Sequence, residues 1–193
     1  VADMTKTIEC TKLVKHTIKT FGNIDILVCN VGDGSSPKPG KEQISDWQKM
    51  LDINLNSSIN LINSSLSSLK KTSGSIVCIS SIAGIETTDA PIPYSVAKSA
   101  LNSYVKNISK PLANFGIRIN AVAPGNILFK DSIWEKKLAK NKTKELDMIS
   151  KKVPMNRFGT SDEIASVVTF LSSPLSSFTT GNILIADGGQ VKS

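Results

Sequence analysis

The sequence predicts an α/β fold, a doubly wound parallel sheet with helices on both faces. Apolar runs rich in branched residues alternate with amphipathic helical segments along the 193 residues. The runs are nearly continuous, as they are in parallel strands buried on both faces. Short polar segments follow them directly, where open sheets of this kind bind ligands. This alternation favours right-handed crossovers between parallel strands.

The first half of the chain predicts a helix, a strand and a second, longer helix. Residues 5–21 form an amphipathic pattern that ends at Gly22, and the apolar run IDILVCNV follows at 24–31. A loop rich in Gly, Ser and Pro then leads to a helix over 43–70. Ser45 is its expected N-terminal cap, with Gln48 three residues later.

The second half predicts three further strands, each following a helical or loop segment. The elements are, in order, a strand at 75–80 (SIVCIS), a helix over 94–114, a strand at 117–123 (IRINAVA), a basic helical segment over 132–151, a helix opening at Ser161 and a strand at 182–187 (NILIAD). The basic segment is flanked by loops, as an inserted lid would be. We therefore expect a single domain over 1–193 that contains a substrate lid at 129–152.

Composition limits the classes of function. The net charge of +7 could indicate a polyanionic partner, but the densest basic patch contains acids too and reads as a solvated helix face. Because no recognition motif accompanies the charge, we expect no nucleic-acid partner. The sequence contains neither an apolar run of membrane-spanning length nor a secretion signal. These features predict a soluble, cytoplasmic protein without a membrane partner.

Few residues could form a metal site or a disulfide. Cys10, Cys29 and Cys78 lie far apart in sequence and are expected to be free, buried thiols. The single histidine, His16, lies on a helix remote from the strand ends. No metal site is expected, because no Cys, His and carboxylate residues cluster in sequence.

Three side chains after the second predicted strand raise a chemical hypothesis: Ser81 directly follows the strand, and Tyr94 and Lys98 lie on the helix that comes next. Tyr94 precedes Lys98 by one helical turn, a spacing that by itself is as typical of an ordinary surface pair. Ser81, however, follows a strand and lies thirteen residues before Tyr94. The intervening loop is long enough to bring the serine and the tyrosine together.

The chain resembles the short-chain dehydrogenase/reductase family, and within it the 3-oxoacyl-acyl-carrier-protein reductases. The matching segments occur in the family's order over nearly the whole sequence: DILVCNVG, MLDINL, GSIVCISSIAG, YSVAK, RINAVAPGNI and RFGTSDEIASVVTFLSS with TGNILIADGG. The resemblance implies a Rossmann-like fold. It also implies an oxidoreductase that uses NAD or NADP to reduce a carbonyl, such as a 3-oxoacyl thioester, or to oxidise the matching alcohol.

By this resemblance four residues are catalytic. Tyr94 is the general acid, and the Lys98 ammonium lowers the pKa of its phenol and holds the nicotinamide ribose. Ser81, rather than its neighbour Ser80, bonds the substrate carbonyl oxygen. Asn54 binds a water that relays protons, although an ordinary polar residue on a helix face remains the alternative.

The resemblance also implies a set of cofactor contacts. They comprise Asp3, Asn30, Gly32, Tyr94, Lys98, Pro124, Gly125 and Ile127. Cys29 and Val31 depart from the family pattern, and the bulk of Val31 is expected to crowd the cofactor. Asp3 matches an acid that meets the adenine ring, but an ordinary helix cap is an equally good interpretation.

The family's glycine-rich phosphate turn is not found in the sequence, which also begins without methionine. We therefore expect an N-terminally truncated form of the fold, with the strand at 24–31 unpaired on one side. The favoured interpretation is a partial sequence of an intact enzyme. The alternative is a catalytically inactive binding or scaffold protein. In either case the resemblance implies a homodimer or homotetramer, and the basic lid favours an anionic substrate such as a carrier-bound acyl group.

Overall fold

The computed structural model of the chain describes residues 1–192. Its helices are α1 (Thr7–Phe21), α2 (Ile44–Leu51), α3 (Ser57–Thr72), α4 (Ile92–Ala113), α5 (Ile133–Lys140), α6 (Lys142–Lys152) and α7 (Ser161–Ser172). Its strands are β1 (Ile26–Cys29), β2 (Ser75–Ile79), β3 (Arg118–Pro124), β4 (Ile127–Leu128), β5 (Gly159–Thr160) and β6 (Ile183–Ala186). A π-turn (Asp52–Asn56) joins α2 to α3, and 3₁₀ turns lie at Ile82–Gly84 and Pro174–Ser176.

The four predicted strands form one sheet in the order β1-β2-β3-β6, and every neighbouring pair is parallel. This confirms the predicted α/β class and the crossovers between strands. A separate pair, β4 with β5, joins the start of the lid to the segment before α7.

Helices cover both faces of the sheet, as predicted. On one face the buried side chains of Ile76 and Ile119 pack in a cluster with residues of α1, α3 and α4. On the other face Val77 and Val122 pack against Leu171 of α7. Because adjacent residues of a strand point to opposite faces, each central strand contributes to both clusters.

Strand β1 lies at the edge of the sheet, as expected from the sequence. Its buried residues Leu27 and Cys29 face α1 and α3, whereas Ile26 and Val28 on the other face are 53% and 40% exposed. Among the described residues, helices therefore cover the face of β1 that carries Leu27 and Cys29, and the face that carries Ile26 and Val28 is partly exposed.

Three helix boundaries differ from the predictions. Gln43, not Ser45, caps α2 in a capping box with Asp46, and Thr160, not Ser161, caps α7 in a capping box with Glu163. The basic segment is two helices rather than one, because the Asn141 side chain accepts a hydrogen bond from Lys144 N and starts α6. Thr160 Oγ1 and Asn141 Oδ1 each accept from the third residue of their helix, whereas at α2 the Asp46 carboxylate accepts from Gln43 N.

The three cysteines are free and buried, as predicted. Cys29 and Cys78 are register partners on β1 and β2, and their thiols hydrogen bond to each other. This bond and burial raise the pKa of Cys78, so its thiol stays protonated at neutral pH.

Arg118, at the start of β3, ties the end of α7 to the sheet. Its guanidinium donates to Leu171 O at 2.9 Å, to Ser173 O at 3.1 Å and to Ser176 Oγ at 2.9 Å. These acceptors include carbonyls at the C-terminus of α7, where a cation is favoured.

We expect Arg118→Met to lower the free energy of unfolding by roughly 2–3 kcal/mol, since it removes three hydrogen bonds made by one charged guanidinium. Urea unfolding followed by circular dichroism measures the change. Arg118→Lys keeps the charge but not the forked geometry, and should recover only part of the loss. Equal stability of the methionine variant and the wild type would contradict this role of Arg118.

Candidate active site

The carboxyl ends of the parallel strands bring the predicted residues to one edge of the sheet. Asn30 follows β1, Ser81 follows β2 and Pro124 ends β3. Tyr94 and Lys98 lie in the first turns of α4, which packs on β3 and on the 3₁₀ turn after β2. The sheet topology therefore explains why residues far apart in sequence converge.

Lys98 is buried, with 3% of its surface exposed. Its Nζ donates to Ile79 O at 2.8 Å, at the end of β2. Burial of the ammonium lowers the pKa of Lys98 to about 8. At neutral pH Lys98 is still mostly protonated, and it holds a desolvated positive charge beneath the edge of the sheet.

Tyr94 is half-buried, and its hydroxyl lies near the side chain of Ser81. Burial raises the pKa of Tyr94, and the interaction with Ser81 offsets part of that increase. Lys98 Nζ lies 5.7 Å from the centroid of the Tyr94 ring. The net pKa of Tyr94 is therefore raised, not lowered as expected, because desolvation outweighs the stabilisation of a phenolate by Lys98, whose ammonium donates to Ile79 O.

Ser80 and Ser81 have different environments. Ser80 is 3% exposed and its hydroxyl donates to Asn102 Oδ1 on α4 at 2.6 Å. Ser81 lies near Tyr94, and its Oγ accepts from Ala83 N at 3.1 Å. This geometry favours Ser81 as the serine that faces a substrate.

Asn54 lies in the π-turn between α2 and α3 and is fully buried. Its side-chain amide donates to Asp33 O at 2.8 Å and to Met50 O at 3.1 Å, and its Oδ1 accepts from Asp33 N at 3.2 Å. π-turns of this kind often occur at functional sites. The side chain thus anchors the loop after β1, and one Oδ1 lone pair remains for the predicted water.

Gly32 lies where this loop passes Asn54 and Lys98. A Cβ at Gly32 would lie 3.0 Å from Asn54 Oδ1 and 3.3 Å from Lys98 Nζ. The absence of a side chain keeps this space open beside an ammonium and an amide. The neighbouring Asn30 and Val31 are exposed at the end of β1.

The remaining predicted contacts lie on other parts of the same region. Gly125 N donates to Ala186 O at 3.0 Å, and Ile127 lines a cavity of about 180 Å³ between β4 and α7. Asp3 lies in a groove beside α2, where its carboxylate accepts from Thr5 N at 2.9 Å. Thr5 Oγ1 also donates to this carboxylate, at 2.7 Å, and the two bonds lower the pKa of Asp3 and close the turn before α1, although Lys6 rather than Asp3 occupies the cap position.

The predicted lid contacts the loop between Ser81 and Tyr94 at the end of α6. Lys152, at the end of α6, forms an ion pair with Asp89 of that loop. Trp134 of α5 packs on Phe158, with ring centroids 5.5 Å apart. The lid segment therefore borders the same edge of the sheet as Tyr94.

Two neighbours of these residues were not predicted. Asn102 lies one turn after Lys98, and Gly84 packs directly against α4. The sequence offers one signal, a polar residue four positions after Lys98 on a helix face that is otherwise apolar.

Among residues 1–192, no group of three His, Cys, Asp or Glu side chains is arranged to hold a metal ion. Within the same residues, no helix combines the length and apolar character needed to cross a membrane.

Comparison with known proteins identifies the family of the chain. The family profile described as enoyl-(acyl carrier protein) reductase matches residues 1–190. The 3-oxoacyl-acyl-carrier-protein reductase of Synechocystis sp. is 33% identical over 188 residues, which is 95% of this chain and 71% of that protein. The corresponding protein of Thermotoga maritima is 32% identical over 192 residues, 99% of this chain and 76% of that one.

A solved structure has the same fold. The 7 alpha-hydroxysteroid dehydrogenase in complex with NADH and 7-oxo glycochenodeoxycholic acid is 30% identical, with a TM-score of 0.87 over 100% of this chain and 73% of that chain. The order of the motifs in this chain, the topology of its sheet and these likenesses together show that the chain belongs to the short-chain dehydrogenase/reductase family. Within that family it resembles the 3-oxoacyl-acyl-carrier-protein reductases.

Proposed function

We propose that the protein reduces the carbonyl group of a 3-oxoacyl thioester or a similar compound, or oxidises the matching secondary alcohol, with Tyr94 as general acid or base. Membership of the family makes it an NAD(P)-dependent oxidoreductase, and its cofactor is NAD or NADP. The observation that carries the proposal is the convergence of Ser81 at the end of β2, the half-buried Tyr94 and the buried ammonium of Lys98, which donates to Ile79 O at 2.8 Å and lies 5.7 Å from the centroid of the Tyr94 ring.

The residues of this edge of the sheet are suited to hold such a cofactor. Glycine at position 32 lets the loop after β1 pass close to Lys98. The Lys98 ammonium has three protons and donates one to Ile79 O. Hydroxyl groups of a ribose are suitable acceptors for the others. The proposed cofactor contacts are Asp3, Asn30, Gly32, Tyr94, Lys98, Pro124, Gly125 and Ile127.

The bound cofactor supplies a hydride to the carbonyl carbon, and the protein supplies the proton. The Ser81 hydroxyl holds the carbonyl oxygen, and Tyr94 donates its phenolic proton to that oxygen. Because burial raises the pKa of Tyr94, the phenol is protonated at neutral pH and ready to act as the acid. The ammonium of Lys98 stabilises the phenolate that forms. A proton from solvent then returns to Tyr94 through a water bound to Asn54 and through Lys98.

The lid suggests the substrate class. Residues 130–152 contain eight lysines and four carboxylates, and most of them are exposed. Lys152 is engaged with Asp89 and Lys151 with Asp147. The remaining positive charge favours an anionic substrate, such as an acyl group on a phosphorylated carrier.

A substrate panel tests the function. NADH and NADPH oxidation is followed at 340 nm in ~20 mM buffer with 3-oxoacyl thioesters, neutral ketones and ketoses. We expect the highest kcat/KM for a thioester. Saturable binding of cofactor without turnover of any compound in the panel would favour the inactive binding protein instead. Turnover confined to neutral ketones would refute the anionic substrate but not the oxidoreductase.

We also propose that the protein is a homodimer or homotetramer that uses the surface of α7 and β6. Phe178 is fully exposed, Leu175 is 83% exposed and Phe170 is 43% exposed beside the edge strand β6. Apolar groups of this size on one surface are typical of an interface between subunits. The partner in this proposal is a second copy of the chain.

We expect Phe178→Asp to reduce the mass measured by light scattering after size-exclusion chromatography by half or more, because it places a charge in the buried interface. Phe21→Asp, at a phenylalanine on α1 that is 80% exposed, is the matched control and should leave the mass unchanged. A monomeric wild type, or the same dissociation in both variants, would rule out this interface.

A further inference from the structure

Two buried polar side chains outside the proposed catalytic set bind each other below the site. Ser80 donates to Asn102 Oδ1 at 2.6 Å, and the two residues are 3% and 7% exposed. Burial of a hydroxyl and an amide is unfavourable unless both are hydrogen bonded. Because both side chains are buried, this bond stabilises the local structure rather than a contact with a ligand.

The amide of Asn102 makes a second bond on the other side of Ser81. Its Nδ2 donates to Gly84 O at 3.1 Å, and Ser99 Oγ donates to the same oxygen at 2.8 Å. The 3₁₀ turn after Ser81 is thus fixed to α4 by two donors. Asn102 therefore binds both the residue before Ser81 and the turn after it.

Gly84 permits this arrangement because it has no side chain. A Cβ at this position would lie 2.6 Å from the carbonyl carbon of Lys98, closer than any real contact. The turn thus rests directly on the α4 backbone at Lys98, one helical turn before Asn102. The same contact sets the distance between the strand end and the helix that carries Tyr94.

We propose that Asn102 is a positioning residue, which with Ser80 and Gly84 forms a clamp that holds Ser81 beside Tyr94. The inference rests on the proposed function only for its kinetic readout. The clamp acts on the interaction between Ser81 and Tyr94, which lowers the pKa of Tyr94 against the effect of burial. When the clamp is lost, that interaction weakens and the pKa of Tyr94 rises further.

The test measures the titration of Tyr94 directly. The chain has two tyrosines, so ¹³Cζ labelling gives two resonances, and Tyr94→Phe assigns them. Burial raises the pKa of the other, Tyr104, to about 12, and its resonance serves as the internal reference. We expect Asn102→Leu and Ser80→Ala to move the midpoint of Tyr94 to higher pH. Tyr104 should be unaffected. Circular dichroism defines the pH range in which each variant is folded.

Kinetics supply the second readout. We expect kcat to fall about tenfold with little change in KM, as for a small displacement of a catalytic group. The kcat of the double variant Ser80→Ala/Asn102→Leu should be no lower than that of the less active single variant, since both substitutions remove the bond between Ser80 and Asn102. Asn107→Leu, at an exposed asparagine of the same helix that bonds only to Ser103, is the control and should match the wild type.

If Asn102→Leu does not fold, Ser99→Ala tests the same clamp at an exposed hydroxyl, and should give a smaller shift in the same direction. An unchanged Tyr94 midpoint in the folded variants overturns the inference, whatever the activity. A shifted midpoint in a protein that reduces no substrate supports the clamp and refutes only the proposed function.

Discussion

Tyr94→Phe is expected to lower kcat for carbonyl reduction by about a hundredfold to ten-thousandfold, the range for loss of a positioned general acid. Phenylalanine keeps the ring and its packing and removes only the hydroxyl that lies near Ser81. KM for the substrate should change little, because the proton is transferred only in the transition state. Stopped-flow single turnovers with NADH or NADPH measure the loss in the chemical step.

Tyr104→Phe is the matched control on the same helix. Tyr104 packs against the apolar cluster beneath β1 and β2, and its pKa is raised by burial rather than by any contact with Ser81. Its loss should change kcat by no more than about twofold. If Tyr94→Phe retained most of its turnover, Tyr94 would not be the proton donor.

The second large effect is a combined loss of activity and gain of stability in Lys98→Met. Methionine removes the charge that stabilises the phenolate, so kcat should fall about a hundredfold or more. It also removes the cost of burying an ammonium. That cost is seen in the lowered pKa of Lys98, about 8 in the folded protein against 10.5 for the ordinary side chain.

The sign of the stability change follows from proton binding. Between pH 8 and 10.5 the unfolded chain holds a proton that folded Lys98 has lost, so the folded protein becomes more stable as pH rises through this range. Below pH 8 the folded protein bears the full cost of the buried charge. At pH 7 we expect Lys98→Met to raise the free energy of unfolding by roughly 1–3 kcal/mol, the loss of the bond to Ile79 O included.

Urea unfolding at pH 7 and at pH 9 to 10 measures the free energy of unfolding and its change with pH. In the methionine variant this free energy should lack the increase with pH that Lys98 causes in the wild type. Lys106→Met, at an exposed lysine of the same helix, should change neither activity nor stability by a measurable amount. A Lys98→Met protein less stable than the wild type at pH 7 would mean that the ammonium is well solvated or paired.

The sequence predicted the sheet well because each strand is a short, branched apolar run followed by polar residues. It predicted the ends of helices less well. Gln43 caps α2 with Asp46, yet Ser45 has the stronger intrinsic preference for that position. The π-turn at Asp52–Asn56 could not be predicted from hydrophobic period, because the segments on both sides keep an apolar face toward the core.

The proposed site was only partly readable. The spacing of Ser81, Tyr94 and Lys98 placed them together because the strand end and the helix start are adjacent in any crossover of this kind. The protonation of Tyr94 was not readable, since it depends on how far burial outweighs a hydrogen bond. Asn102 was missed because its role depends on the path of the turn after Ser81, and no local pattern records that path.

The burial of Cys10, Cys29 and Cys78 has a practical consequence. The three thiols are 0%, 3% and 0% exposed, so a bulky aromatic disulfide reagent cannot reach them in the folded chain. Labelling therefore has to wait for an opening event, and its rate reports how often the molecule opens. Cys10 on α1 and the pair Cys29 and Cys78 on β1 and β2 report on different regions. Comparison of their labelling rates therefore gives the order in which these regions unfold.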